Sequence, residues 1–226
     1  FQTIFIELNG LGIDYLVVGG LAVNFHGVPR MTYDIDLMVL LEPENILKLV
    51  TKLTQWGYRP KIPIDPRDFA DEVKRNSWVH EKGMKALNFY SETLPIGEID
   101  IVIDTPIPYE QLRSRAIRVV LQDAKIPTVS IHDLIALKLR AGRKQDLADA
   151  EHLRIVLDEV MAEQKKEFNP HHIKSSALRQ GVGFTYTVSR EQIDEYRAWP
   201  LDRRLKWLFH ANKMRKLLPK KTIEIQ

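Results

Sequence analysis

The chain has 226 residues, 44% of them apolar, and a formal net charge of +3, enough for one sizeable core or for a catalytic domain with a smaller helical addition. It contains no cysteine, which excludes disulfide scaffolds, thiolate nucleophiles and Cys-ligated zinc. No run approaches the roughly 20 uncharged apolar residues that span a bilayer, and Phe1 to Leu8 lack a basic n-region and cleavage site, so a cytoplasmic protein with no membrane partner is expected.

Asp14 to Val18 is a short apolar run rich in β-formers that stops at Gly19-Gly20, which reads as a strand entering a tight turn. Leu21 to His26 follows as a short helix closed by Gly27 and Pro29. Asp34 to Leu41 reads as a second strand, and Pro43 opens a helix whose stripe of Ile46, Leu47, Leu49, Val50 and Leu53 ends near Gly57. Three prolines between Tyr58 and Asp71 predict a loop. Ala86–Tyr90 and Glu98–Asp104 are expected to form a hairpin, and 118–122 and 126–129 are further extended pieces.

Ser130 is a good N-cap for a helix over Ile131–Arg140. A longer helix is predicted from Asp146 to Glu167 with Leu147, Leu153, Val156, Leu157, Val160 and Met161 inward. Asn169 to Tyr186 is polar and weakly patterned and reads as a linker. Ser189 caps a final helical segment over 190–218, interrupted near Pro200. The expected organisation is an α+β domain over 1–168, a linker over 169–188, and a basic helical C-terminal segment over 189–226.

Chemistry is concentrated in Asp34-Ile35-Asp36. Side chains alternate along a strand, so the two carboxylates share a face that excludes Ile35 and Leu37. Carboxylates at that spacing repel unless a cation lies between them, and Mg²⁺ takes oxygen ligands of this kind together with substrate phosphates. An isolated pair could equally be two solvated acids at a strand end. Three neighbours favour the metal reading. The Gly19-Gly20 turn can present backbone N–H groups to phosphate. Arg30 and Thr32 fall on the face of Asp34 and Asp36 if the strand already begins near Arg30. Ile99-Asp100-Ile101 sets a third acid in an apolar strand, as a two-metal phosphoryl-transfer site requires. Asp104 is the other choice for that acid; Asp100 is preferred because Asp104 precedes Thr105-Pro106 at the strand's end.

Val18-Gly19-Gly20-Leu21-Ala22-Val23, His26-Gly27 and Arg30-Met31-Thr32-Tyr33-Asp34-Ile35-Asp36-Leu37 resemble the signature of the DNA polymerase β-like nucleotidyltransferase superfamily. The likeness is greatest to small bacterial members similar to abortive-infection toxins and lincosamide nucleotidyltransferases. It continues through Asp133-Leu134, Lys138, Arg143, Asp146 and Asp149 and covers about two-thirds of the chain. One departure is Gly20, where many members carry Ser.

The resemblance implies a mixed β-sheet flanked by helices, with the C-terminal helical region following. It implies that Asp34, Asp36 and Asp100 bind two Mg²⁺ ions, Mn²⁺ being an alternative, with Asp100 activating the acceptor hydroxyl. Gly19, Gly20, Arg30, Thr32, Lys138 and Arg143 would contact the nucleoside triphosphate, ATP or another NTP. The acceptor would be RNA such as tRNA, a protein hydroxyl or a small molecule, and a cognate antitoxin would be a partner. The rival reading is a catalytically degenerate module of the same fold that binds or regulates, as an antitoxin does.

Other residues carry less. Lys138, Arg140, Arg143 and Lys144 also suit a helix C-terminus. His171-His172 lacks further ligands nearby in sequence, and His26 and His80 read as ordinary polar residues. From Arg203 to Lys221 eight cations occur with no acid, interleaved with Trp199, Leu201, Leu205, Trp207, Leu208 and Phe209. This stripe reads first as a packing face, and its charge also suits RNA or a protein partner.

Overall fold

Alternation of apolar and polar residues gives a strand one buried face, and burial alternates throughout Ala86–Tyr90 and Glu98–Val102. A computed structural model describes residues 2–94, 96–168 and 188–217, with side chains described except at 163–168 and 212–217. Among the described residues the sheet has seven strands: β1 (Tyr15–Val17), β2 (Asp34–Val39), β3 (Arg59–Pro60), β4 (Ala86–Tyr90), β5 (Glu98–Val102), β6 (Ile117–Leu121) and β7 (Ala124–Thr128), in the order β3-β4-β5-β2-β1-β7-β6. β2 runs parallel to β5 and β1 parallel to β7, and the remaining neighbours are antiparallel. The fold is therefore α+β with a mixed sheet.

Ile35, Leu37, Leu87, Phe89, Ile99 and Ile101 are all fully buried on one face of the central strands. The alternate residues Asp34, Asp36, Asn88, Glu98 and Asp100 are only partly buried, and they form the open face on which the site lies. At roughly 1.5–3 kcal/mol for each fully buried large apolar side chain, the covered face holds the strands in register. That register sets the carboxylates.

The helices are α1 (Gln2–Gly10), α2 (Gly19–Phe25), α3 (Pro43–Gln55), α4 (Glu72–Lys82), α5 (Tyr109–Ser114), α6 (Ile131–Ala141), α7 (Lys144–Phe168), α8 (Arg190–Ala198) and α9 (Leu201–Leu217), with a 3-10 turn at Pro66–Ala70. α2 is buried on nearly all sides, with Leu21, Ala22, Val23, Asn24 and Phe25 inside. It is a core helix, and its first turn abuts β2. α3 buries Ile46, Leu49, Val50 and Leu53 at helical spacing and leaves Leu47 exposed. Ser130 caps α6 by accepting from the Asp133 N–H, and Ser189 with Gln192 forms a capping box on α8.

Several expectations need correction. β2 begins at Asp34, not near Arg30; the Arg30 backbone is held instead by the Asn24 side chain, which accepts from its N–H and donates to its C=O. Pro60 does enter a strand, at the sheet edge, where its missing N–H is tolerated. On α7, Leu147 and Met161 are exposed while Leu153 and Val156 are buried, so the inward stripe is narrower than predicted. The predicted linker lies outside the described residues except for Val188.

The aromatic stripe of the C-terminal segment is largely a packing face. Leu205 and Leu208 are buried in the common core, and the Tyr196 ring packs against Trp199 and Trp207 at 5.6 and 5.7 Å. Phe209 is exposed. No described helix is long and apolar enough to cross a membrane.

Candidate active site

Parallel pairing of β2 with β5 sets Asp36 opposite Asp100 and Asp34 opposite Glu98. Carboxylate oxygens of Asp34, Asp36 and Asp100 come within 4.8 Å of one another, the one such acidic group among the described residues. Asp104 lies beyond the end of β5 and is exposed, so Asp100 is the acid that the strands bring to the pair. The three differ in their partners. Asp34 accepts from the Thr32 hydroxyl at 2.6 Å, and Asp36 accepts from the Gly20 N–H at 3.3 Å. Asp100 is hydrogen-bonded by the Asn88 side chain, yet its buried Oδ1 has no hydrogen-bond partner among the described residues. A buried, unpartnered carboxylate oxygen is costly.

The electrostatics agree. Burial, and then the charges of Asp34 and Asp100, push the Asp36 carboxyl up to about 7, against smaller lowering effects of the Gly20 N–H and the Lys138 charge. Burial also raises Asp100, with Asp34 adding to it and Asn88 opposing. Three acids held this close in a partly dry site match a divalent-cation donor set, which supplies oxygen ligands and needs neutralisation.

The glycine pair makes this closeness possible. Gly19 adopts φ +61°, and a Cβ there would overlap the Asp36 carboxylate and stand 2.7 Å from the Asp36 Cβ. A Cβ on Gly20 would strike the Thr32 side chain, 2.8 Å from its Cβ. Thr32, itself buried, thus occupies the space that a side chain at position 20 would need. One N–H of the turn is engaged by Asp36.

The predicted cations gather behind the acids. Lys138 Nζ lies 2.9 Å from both Asp146 and Asp149. Arg30 Nε reaches Asp149 at 3.2 Å, its Nη1 donates to the Met31 carbonyl, and Arg143 Nε reaches Asp146 at 2.6 Å. Burial pushes Asp146 upward, but the bonds from Arg143 and Lys138 outweigh it and hold the carboxyl below its usual value. The Lys138 charge is felt by Asp36, and the Arg143 side chain, 79% exposed, interacts with Asp36 and Asp34. Arg140 and Lys144 are exposed.

Lys138→Met removes the central cation of this network while keeping the volume. Breaking a buried ion pair costs roughly 3–5 kcal/mol, and because Arg30 and Arg143 remain, a loss near the lower end, about 3 kcal/mol, is expected in urea denaturation at pH 7. A loss below about 1 kcal/mol would show that the lysine is not what neutralises the two aspartates.

Among the histidines, His26 donates from Nε2 to the Val129 carbonyl at 2.8 Å, and burial lowers its pKa. Its contact is with the fold and not with the acids. His80 is exposed, and His171 and His172 lie outside the described residues.

The nucleotidyl transferase AbiEii toxin family of type IV toxin–antitoxin systems matches residues 6–222. The chain belongs to this family. It is a nucleotidyltransferase. Among curated protein sequences none matches. Solved structures similar to this chain include a lincosamide antibiotic adenylyltransferase bound to lincomycin, with 16% identity and TM-score 0.46, covering 68% of this chain and 94% of that one. A Thermotoga maritima candidate nucleotidyltransferase has 15% identity and TM-score 0.43, covering 74% and 90%. The antibiotic-resistance factor ANT(2'')-Ia has 13% identity and TM-score 0.41, covering 75% and 98%.

For this AbiEii-family chain, sequence reading missed Asn88 and Asn24. Asn88 has a signal of a kind, a polar residue between Leu87 and Phe89 on the strand expected to pair with that of Asp100. Asn24 has none: a lone Asn in a short apolar helix gains meaning only from partners remote in sequence.

Proposed function

We propose that this protein transfers a nucleoside monophosphate from an NTP to a hydroxyl of RNA, with Asp34, Asp36 and Asp100 holding two Mg²⁺ ions, Mn²⁺ being an alternative. The observation that carries the reading is the unpartnered, buried Asp100 Oδ1 inside a cluster of three carboxylates. A binding surface has no use for such an arrangement, whereas a cation resolves it. When bound, divalent cations neutralise the carboxylates and the triphosphate and make the acceptor hydroxyl more acidic.

The bond that forms joins the acceptor oxygen to the α-phosphorus, the α–β bridge breaks, and pyrophosphate leaves. Asp100 receives the hydroxyl proton, since its carboxyl is raised above the ordinary range and one oxygen is unengaged. Thr32 and Gly20 fix the rotamers of Asp34 and Asp36 through their hydrogen bonds. On the nucleotide side, Gly19, Gly20, Arg30 and Thr32 line the turn facing the acids. Lys138 and Arg143 balance the triphosphate's charge, Arg143 being the more exposed of the two.

RNA is favoured as acceptor by the acid-free basic stretch from Arg203 to Lys221. Of its cations, Arg203 stacks on Trp199 at 4.2 Å and Lys206 pairs with Asp202 at 3.4 Å. A cognate antitoxin is the expected protein partner. The test is incubation with each of four α-labelled NTPs, Mg²⁺ and total RNA. Label should enter RNA, should stop on chelation, and should be absent with Asp36→Asn. Label entering protein instead would reassign the acceptor, and label surviving Asp36→Asn would remove the catalytic role of the acids.

A further inference from the structure

The C-terminal helices belong to the active-site framework through one buried amide. Asn24 is fully buried in α2 and uses all its hydrogen-bonding capacity. Its Nδ2 donates to the Gly20 carbonyl at 3.2 Å and to the Arg30 carbonyl at 2.5 Å. Its Oδ1 accepts from the Arg30 N–H at 3.4 Å and from the Tyr196 hydroxyl of α8 at 2.7 Å. One side chain therefore ties the glycine turn, the segment leading into β2, and a helix 172 residues away.

Contact is close on both sides of this hub. A Cβ on Gly27 would stand 2.5 Å from the Arg197 Cγ, so α8 lies directly on the turn that ends α2. At the other end, Gly20 abuts Thr32, and Thr32 holds Asp34. The chain of contacts runs Tyr196, Asn24, the Gly20 and Arg30 backbones, Thr32, Asp34.

We infer that Tyr196 is a positioning residue for nucleotidyl transfer: through Asn24, its hydroxyl sets the spacing between the glycine turn and the strand that carries Asp34 and Asp36. This rests on the proposed reaction, because the spacing matters only if NTP lies between turn and acids. Among the described residues the phenol is the part of α8 that reaches the amide, and its removal leaves the Asn24 Oδ1 with the long bond from Arg30. The hub then loosens where carboxylate placement is set, and a displacement of a fraction of an ångström lowers transfer more than it lowers stability.

The test compares Tyr196→Phe, Asn24→Ser, their double variant, Glu195→Ala on the exposed side of the same helix, and Asp36→Asn, by transfer of label from each NTP to total RNA and by thermal melting. Tyr196→Phe should lower kcat/KM about five- to tenfold, mostly in kcat, with a melting temperature close to wild type. Glu195→Ala should match wild type. The phenylalanine should have no further effect when added to Asn24→Ser, because the two act through one bond. Wild-type kinetics for Tyr196→Phe alongside an inactive Asp36→Asn would overturn the inference and leave the proposed reaction standing. A loss of activity no larger than the loss of folded protein would overturn it too, reducing Tyr196 to an anchor. Undiminished transfer by Asp36→Asn would instead remove the reaction on which the inference rests.

Discussion

Asp36→Asn should lower transfer by on the order of 10³-fold or more and at the same time raise the melting temperature of the metal-free protein at pH 8. The two halves have one cause. The Asp36 carboxyl is pushed up to about 7 by burial and by the charges of Asp34 and Asp100, whereas in the unfolded chain it titrates near the ordinary 3.8. Between roughly pH 4 and pH 7 the folded state therefore holds a proton that the unfolded chain has released. The stability of metal-free wild type falls as pH rises through that window, and above pH 7 the whole cost is in place. Asparagine has no charge to bury and still offers an oxygen to the Gly20 N–H.

Each pKa unit corresponds to about 1.4 kcal/mol. After allowance for partial solvation and a poorer bond to Gly20, a gain of about 2 kcal/mol is expected, roughly 5 °C for a chain of this size. Mg²⁺ should raise the melting temperature of wild type at pH 8 and do much less for the variant. Transfer should fall by on the order of 10³-fold or more, since a metal-ligating carboxylate is lost. Calorimetric melting with chelator and with Mg²⁺, at pH 5 and pH 8, checks the stability changes, and label transfer to total RNA checks the activity. A variant less stable than wild type at pH 8 would mean that the carboxylate serves the fold, and that its repulsion is already relieved without metal.

The acids were legible because strand alternation is a strong local rule. Asp34 and Asp36 had to leave the face of Ile35 and Leu37, and Asp100 had to leave that of Ile99 and Ile101. The choice between Asp100 and Asp104 turned on where β5 ends, and it ends at Val102. The helices that escaped sequence reading carry weak patterns. α4 has few apolar residues, and Val73 is 78% exposed. Its ends are instead defined by Asp71, which accepts from the Val73 and Lys74 N–H groups, and by Gly83 in the left-handed conformation.

Lys138 and Arg143 show a different difficulty. A cation on a helix near a proposed phosphate site looks the same in sequence whether it meets phosphate or protein carboxylates. Here Asp146 and Asp149, three residues apart on α7 and both buried, pair with buried Lys138, with Arg30 and with the exposed Arg143 in one network. The network holds positive charge beside the acids without leaving it unpaired. Asn24 was beyond reach for a stronger reason: its hydroxyl partner lies on the far side of the predicted linker, and no local pattern encodes so distant a contact.

Gly19→Ala tests the closeness of turn and acids most directly. At φ +61° any residue with a Cβ is strained, at a cost of about 1 kcal/mol or more. Gly12, at φ +63° with open space within 4 Å of where a Cβ would stand, isolates that cost, so Gly12→Ala should lose about 1 kcal/mol and keep full activity. At Gly19 the added methyl would also overlap the Asp36 carboxylate, and β2 is pinned by its pairing on both sides. The overlap is relieved only by turning the carboxylate away from Asp34 and Asp100 or by lifting α2. Either movement separates the acids from the turn. Gly19→Ala should therefore lose roughly 2–3 kcal/mol in urea denaturation and on the order of 10²-fold in kcat. Equal losses of stability in the two variants, with transfer intact in Gly19→Ala, would show that the turn and Asp36 can part without consequence, and that their contact is not part of the catalytic geometry.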